Sequence, residues 1–140
     1  MEAGLCLYGN DISSYVSPIE AGLTWSIPKE RIKDGGFIGY EPIKKDIENG
    51  VERKLVGIRP LSKIPAREGT QIFDKHEKKI GEITSGGYSP TLQSPIAMGY
   101  ITSDILKSNC EVLLNVRGNL IPAEITSLPF VEHRYFRGNK

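Results

Sequence analysis

The stretch CEVLLNVRGNLIPAEIT, residues 110–126, decides how this chain folds. Val112, Leu114 and Val116 fall on every second position, Gly118 and Asn119 reverse the chain, and Leu120 to Ile125 carries it back. Successive side chains on a strand point to opposite faces, so an apolar run at period two puts one face into a core. Glycine and asparagine tolerate the left-handed backbone of a two-residue hairpin turn. Pro122 cannot donate to a ladder, which places its segment at an edge or a bulge.

Similar short runs precede this hairpin. KLVGIR (54–59) stops at Pro60, and TQIFD (70–74), a polar KHEKK tip and IGEITSG (80–86) read as a second hairpin with a longer loop. SPIAMGYI (94–101) is almost wholly apolar, as a strand buried on both faces would be. LPFV (128–131) reads as a last strand, and TSGGYS (84–89) as a turn. Strands at such spacing predict a small, mainly antiparallel β-barrel or sandwich over residues 53–140.

Residues 1–52 read differently. EAGLCLY (2–8) looks like a helix end stopped by Gly9 and Asn10, GLTWSI (22–27) like a short strand, and DGGFIGY like a turn delivering Phe37 and Ile38 inward. EPIKKDIENG (41–50) predicts a helix, with Pro42 in the first position and Gly50 as its stop. The first of these helices has an end but no capped start, so the chain reads as the back part of something longer. The fold class is therefore an α+β fragment followed by a β-barrel.

The totals bound the rest. The chain has 140 residues, 39% hydrophobic and 25% charged, enough for one globular domain with a core. A net charge of +1 gives no broad field for nucleic acid or an anionic membrane. Cys6 and Cys110 stand far apart and suggest a reducing compartment. No run of about 18 apolar residues or signal segment is visible, so a soluble chain of the cytoplasm is expected.

Few side chains point to chemistry. His76 and His133 have no ligand partners at metal spacing, so no metal is expected. Cys6 reads as apolar packing rather than a nucleophile, and Arg67 and Arg117 as turn arginines bonded to backbone. In PFVEHRYFRGNK (129–140), the ring of Tyr135 could stack on a planar ligand while Arg134 or Arg137 meets a carboxylate. These residues name no reaction.

EAGLCLYGNDI, SPIEAGLTW, GGFIG, KLVGI, IGEITSGGYSPTL, IAMGYI, VRG and LPFVEHRY follow one another from Glu2 to Tyr135. In that order the chain resembles the aminomethyltransferase of the glycine cleavage system, the T-protein family. The resemblance implies a transferase that moves the one-carbon unit from aminomethyl-lipoyl H-protein to tetrahydrofolate and releases ammonia. It implies that residues 1–52 close the folate-binding lobes and that residues 53–140 form a C-terminal barrel of jelly-roll type. It assigns one substrate contact, Tyr135, and no catalytic residue. The family's folate-orienting aspartate, its pterin-holding glutamate and an arginine lie upstream of the matched part, so the chain alone is expected not to be competent. The partners implied are the H-protein, folate and an upstream half, and the compartment is the mitochondrial matrix if the source is eukaryotic. The alternative is a stand-alone barrel module that docks on a partner chain or self-associates.

Overall fold

The computed structural model describes residues 1–107, 111–136 and 138. Cys110 and the Arg137, Asn139 and Lys140 of the tail lie outside the described residues. Six strands form a closed antiparallel barrel: β1 (Arg53–Pro60), β2 (Gln71–Phe73), β3 (Lys79–Ser89), β4 (Ser94–Thr102), β5 (Glu111–Val116) and β6 (Asn119–Thr126). The order around the barrel is β1-β4-β3-β2-β5-β6, closed by β6 on β1.

The strands form where the apolar alternation lies. Ile58, Ile72, Ile83, Ile101, Leu114 and Ala123, with side chains on the inner face, make a core from which water is excluded. Each buried isoleucine or leucine contributes about 1.5–3 kcal/mol relative to exposure. The β5–β6 hairpin forms as expected, but its turn is Arg117 and Gly118 rather than Gly118 and Asn119: Val116 pairs with Asn119, which is the first residue of β6. Pro122 is exposed and stands just past the last β1–β6 pair, Pro60 with Ala123, where its carbonyl accepts from the Leu61 amide at 2.9 Å and its missing N–H is not called on.

β4 is buried on both faces, as its sequence suggests. Ala97 and Ile101 point into the barrel, while Ile96, Met98 and Tyr100 have the opposite parity and are also buried. The N-terminal segment crosses that outer side. The Tyr100 hydroxyl donates to the Asp11 carbonyl at 2.9 Å, and the Leu55 amide of β1 donates to the Glu20 carbonyl at 2.9 Å.

That segment is where expectation and structure part. Residues 2–8 form no helix: Gly4 has φ +63, Leu5 and Leu7 are exposed, and Cys6 is half-buried. A lone turn or two of helix is marginal, and here the backbone bonds to the rest of the molecule instead. The Phe130 and Val131 amides donate to the Glu2 carbonyl at 3.0 and 3.1 Å. GLTWSI is a 3-10 turn, Thr24–Ser26, rather than a strand; no neighbouring strand offers it a ladder, and Trp25 projects into solvent. A short helix α1 (Lys29–Asp34) precedes the glycine pair. Phe37 packs edge-to-face on Tyr40 with ring centroids 5.5 Å apart, but Ile38 is fully exposed. The helix α2 (Tyr40–Asn49) ends at Gly50 as read; Pro42 occupies its third position, still within the turn whose amides have no intrahelical acceptor. TSGGYS lies inside β3, and LPFV is irregular chain with a cis Leu128–Pro129 peptide. The molecule is thus a small helical part followed by the barrel.

Candidate functional site

After β6 the chain turns back over the N-terminal strap, and Glu2 is the knot between them. Its main-chain carbonyl accepts from the tail, while its carboxylate accepts from the Thr91 amide at 3.1 Å and the Thr91 hydroxyl at 2.8 Å. The Ser89 hydroxyl also donates to it. These donors, Ser89 first, favour the charged form and hold the Glu2 carboxyl below the usual carboxylate range.

The tail then brings two rings together. His133 Nε2 stands 2.8 Å from the Ala3 carbonyl and donates to it when protonated there. The Tyr135 ring lies 4.8 Å from the His133 ring, tilted by 40°. Tyr135 is 60% exposed. His133 also walls a cavity of about 420 Å³ whose other sides include Leu5, Leu23, Trp25, Leu55 and Leu128. That volume lies in the range of small-molecule sites, and its walls are mostly apolar.

Cys6 lies on the same cavity, yet it carries no activated thiolate. Burial pushes its thiol pKa up, and the Asp11 carboxylate adds to the effect. Its Sγ approaches the Ala21 carbonyl at 3.9 Å. Asp11 is buried and structural: it accepts from the Leu7 amide at 2.9 Å and from the Thr84 hydroxyl at 2.6 Å. The Tyr100 phenol is pushed up mainly by burial and stays a donor. His76 is exposed at the β2–β3 tip, its amide donating to Asp74. Among the described residues, no three His, Cys, Asp or Glu side chains are grouped to hold a metal.

The arrangement sets an exposed aromatic ring beside an imidazole that borders an apolar hollow, and among the described residues no general base is poised over a nucleophile. Sequence reasoning singled out Tyr135, first as a ring that could stack on a ligand and then by resemblance, and missed Glu2, Asp11 and the cavity position of His133. The only trace of Asp11 was its place in LYGNDI; nothing marked Glu2.

A fold and site of this kind have relatives. Residues 53–132 match the family model described as the glycine cleavage T-protein C-terminal barrel domain, and the chain belongs to that family. Among the proteins it is similar to is the mitochondrial aminomethyltransferase of Mesembryanthemum crystallinum, 46% identical over 98% of this chain and 33% of that protein. The probable mitochondrial aminomethyltransferase of Schizosaccharomyces pombe is 42% identical over 98% of this chain and 35% of that protein. The crystal structure of the glycine cleavage system aminomethyltransferase T from Bartonella henselae superposes with a TM-score of 0.90 at 42% identity, over 97% of this chain and 38% of that one. The chain therefore spans about a third of the length of the relatives it matches. No described helix is long and apolar enough to cross a membrane.

Proposed function

We propose that this chain serves as the C-terminal part of a glycine cleavage aminomethyltransferase. The observation that carries the reading is likeness over nearly the whole chain, in sequence and in fold together, to proteins named for that activity. In the proposed reaction, N5 of tetrahydrofolate displaces the aminomethyl carbon from the lipoyl sulfur of the H-protein. The carbon becomes the methylene unit of folate, ammonia leaves, and the lipoyl arm departs as the reduced thiol. The share of this chain is positional: Tyr135 presents its open face to the folate rings while His133 and the Ala3 carbonyl fix the tail beneath it. Residues 1–52 act as the closing segment of the folate-binding lobes, and residues 53–140 as the barrel that supports them. The exposed Trp25 and Ile38 suit a surface covered by the upstream portion, without which the chain alone is not competent. The compartment that fits the relatives' names is the mitochondrial matrix in a eukaryote and the cytoplasm in a bacterium.

Calorimetric titration with 5-formyltetrahydrofolate tests the role of Tyr135. Saturable binding is expected, weakened roughly ten-fold by Tyr135→Ala through loss of the aromatic contact. Equal binding by the variant removes Tyr135 from the site, and binding by neither protein means that the folate site lives in the upstream portion and that this chain supports it.

A further inference from the structure

A larger hollow, about 820 Å³, opens where the β1–β6 seam runs out. The ladder stops at Pro60 and Ala123, followed only by the Leu61 amide donating to the Pro122 carbonyl at 2.9 Å. Beyond that point the β1–β2 loop and the β5–β6 hairpin diverge, and Ile64, Val116, Leu120 and Ile121 line the gap. Ile64 and Leu120 are 50% and 40% exposed, an apolar surface that water covers at a cost. Arg67 and Arg117 also line the hollow, and among its described lining residues there is no carboxylate.

Arg67 bonds to backbone, as its sequence reading expects, whereas among the described residues Arg117 does not. The Arg67 amide donates to the Thr70 hydroxyl at 3.2 Å, and its Nη1 donates to the Gly86 carbonyl at 3.1 Å, on the side where Arg67 also borders a smaller hollow with Glu68 and Gly86. The loop can press this close to β3 because position 86 is glycine: a Cβ there would stand 1.8 Å from the Ala66 oxygen. The glycine of TSGG thus lets PAREG fix an arginine. Arg117 adopts φ +54 at the hairpin turn, where glycine or asparagine would sit with less strain. Among the described residues its side chain has no partner, so neither the turn nor an ion pair explains an arginine here.

We propose that this groove binds an amphipathic anion, a carboxylate or phosphate head on an apolar body. The Arg117 guanidinium takes the head through charge-assisted hydrogen bonds, with Arg67 adding positive charge at the rim, and Ile64, Val116, Leu120 and Ile121 take the body. The volume lies in the range of small-molecule sites. The site is separate from Tyr135 and does not depend on the proposed transfer reaction.

The full chain is titrated with octanoate, octyl phosphate and octylammonium while backbone amide shifts are followed by NMR. Saturable shifts confined to residues 62–70 and 116–122 are expected with the anions and not with octylammonium. Whichever anion binds tighter identifies the head group. Arg117→Gly removes the guanidinium while relieving the backbone, so it should melt at the same or a higher temperature and bind about ten-fold more weakly. No saturable shift with either anion, equal shifts with octylammonium, or unchanged binding by Arg117→Gly overturns the proposal.

Discussion

Residues 53–126 and residues 1–28 are held by different forces. The barrel has a continuous ladder around a core of buried isoleucine, leucine, valine and alanine. In the N-terminal strap, by contrast, the side chains buried are those of Ala21 and Asp11, while Leu5, Leu7, Tyr8, Tyr15 and Trp25 stand exposed. The strap stays on the barrel through polar ties: Asp11 to Thr84 and Tyr100, Glu2 to Ser89 and Thr91, and Glu20 to Arg53, whose guanidinium also lies 5.0 Å over the Tyr100 ring. Apolar burial is non-directional and adds up with area, so the barrel tolerates local change. A few hydrogen bonds are directional, and each one lost leaves its partner unsatisfied. The lesson is a stable body carrying a strap that can be loosened one tie at a time.

The largest effect should come from breaking the body. Ile101 is fully buried, and Ile101→Ala leaves a cavity in the core at a cost of about 2–5 kcal/mol. Thermal unfolding followed by circular dichroism should drop by roughly 10 °C or more, with strap and barrel signals lost together. A shift of only a degree or two would mean that the barrel core is not what stabilises the molecule.

The smallest effect is a protonation. The Glu2 carboxyl is held low in the folded chain, so its contribution to stability is present above the unfolded value and lost as pH falls through the folded one. Melting temperature should therefore fall as the pH drops below about 4, and Glu2→Gln should flatten that part of the curve. The two proteins should converge in acid; parallel curves throughout would remove Glu2 from the set of ties.

The same division governs what could be read from the sequence. The β5–β6 hairpin, the twice-buried β4 and helix α2 were legible because period, turn residues and caps agree with the packing they meet. EAGLCLY and GLTWSI were misread because their apolar spacing imitates regular elements, whereas the Glu2 carbonyl meets Phe130 and Val131 far along the chain and GLTWSI closes on itself, the Ser26 amide bonding to Leu23 and the Ile27 amide to Thr24. TSGG read as a turn because a glycine needed for close approach looks, in one sequence, like a glycine needed for a bend. Tyr135 was marked out by its place among the tail's aromatic and basic residues and by resemblance. Its companion His133 owes its place to the Ala3 carbonyl, 130 residues away, which no local pattern announces.

Native-state hydrogen exchange on the wild type and on Asp11→Ala tests the contrast between body and strap most directly. In the wild type, amides of β3 and β4 such as Ile83 and Met98 should exchange only through global unfolding. The Leu7 amide, donated to the Asp11 carboxylate, should exchange through a lower-energy opening of the strap. Asp11→Ala leaves the Leu7 amide short of an acceptor and the Thr84 hydroxyl with only the Met98 carbonyl at 3.3 Å, at a cost of about 1–3 kcal/mol. Strap protection should fall ten-fold or more while the β3 and β4 amides hardly change. A fall of the same factor in both regions would contradict the account, because strap and barrel would then unfold as one unit.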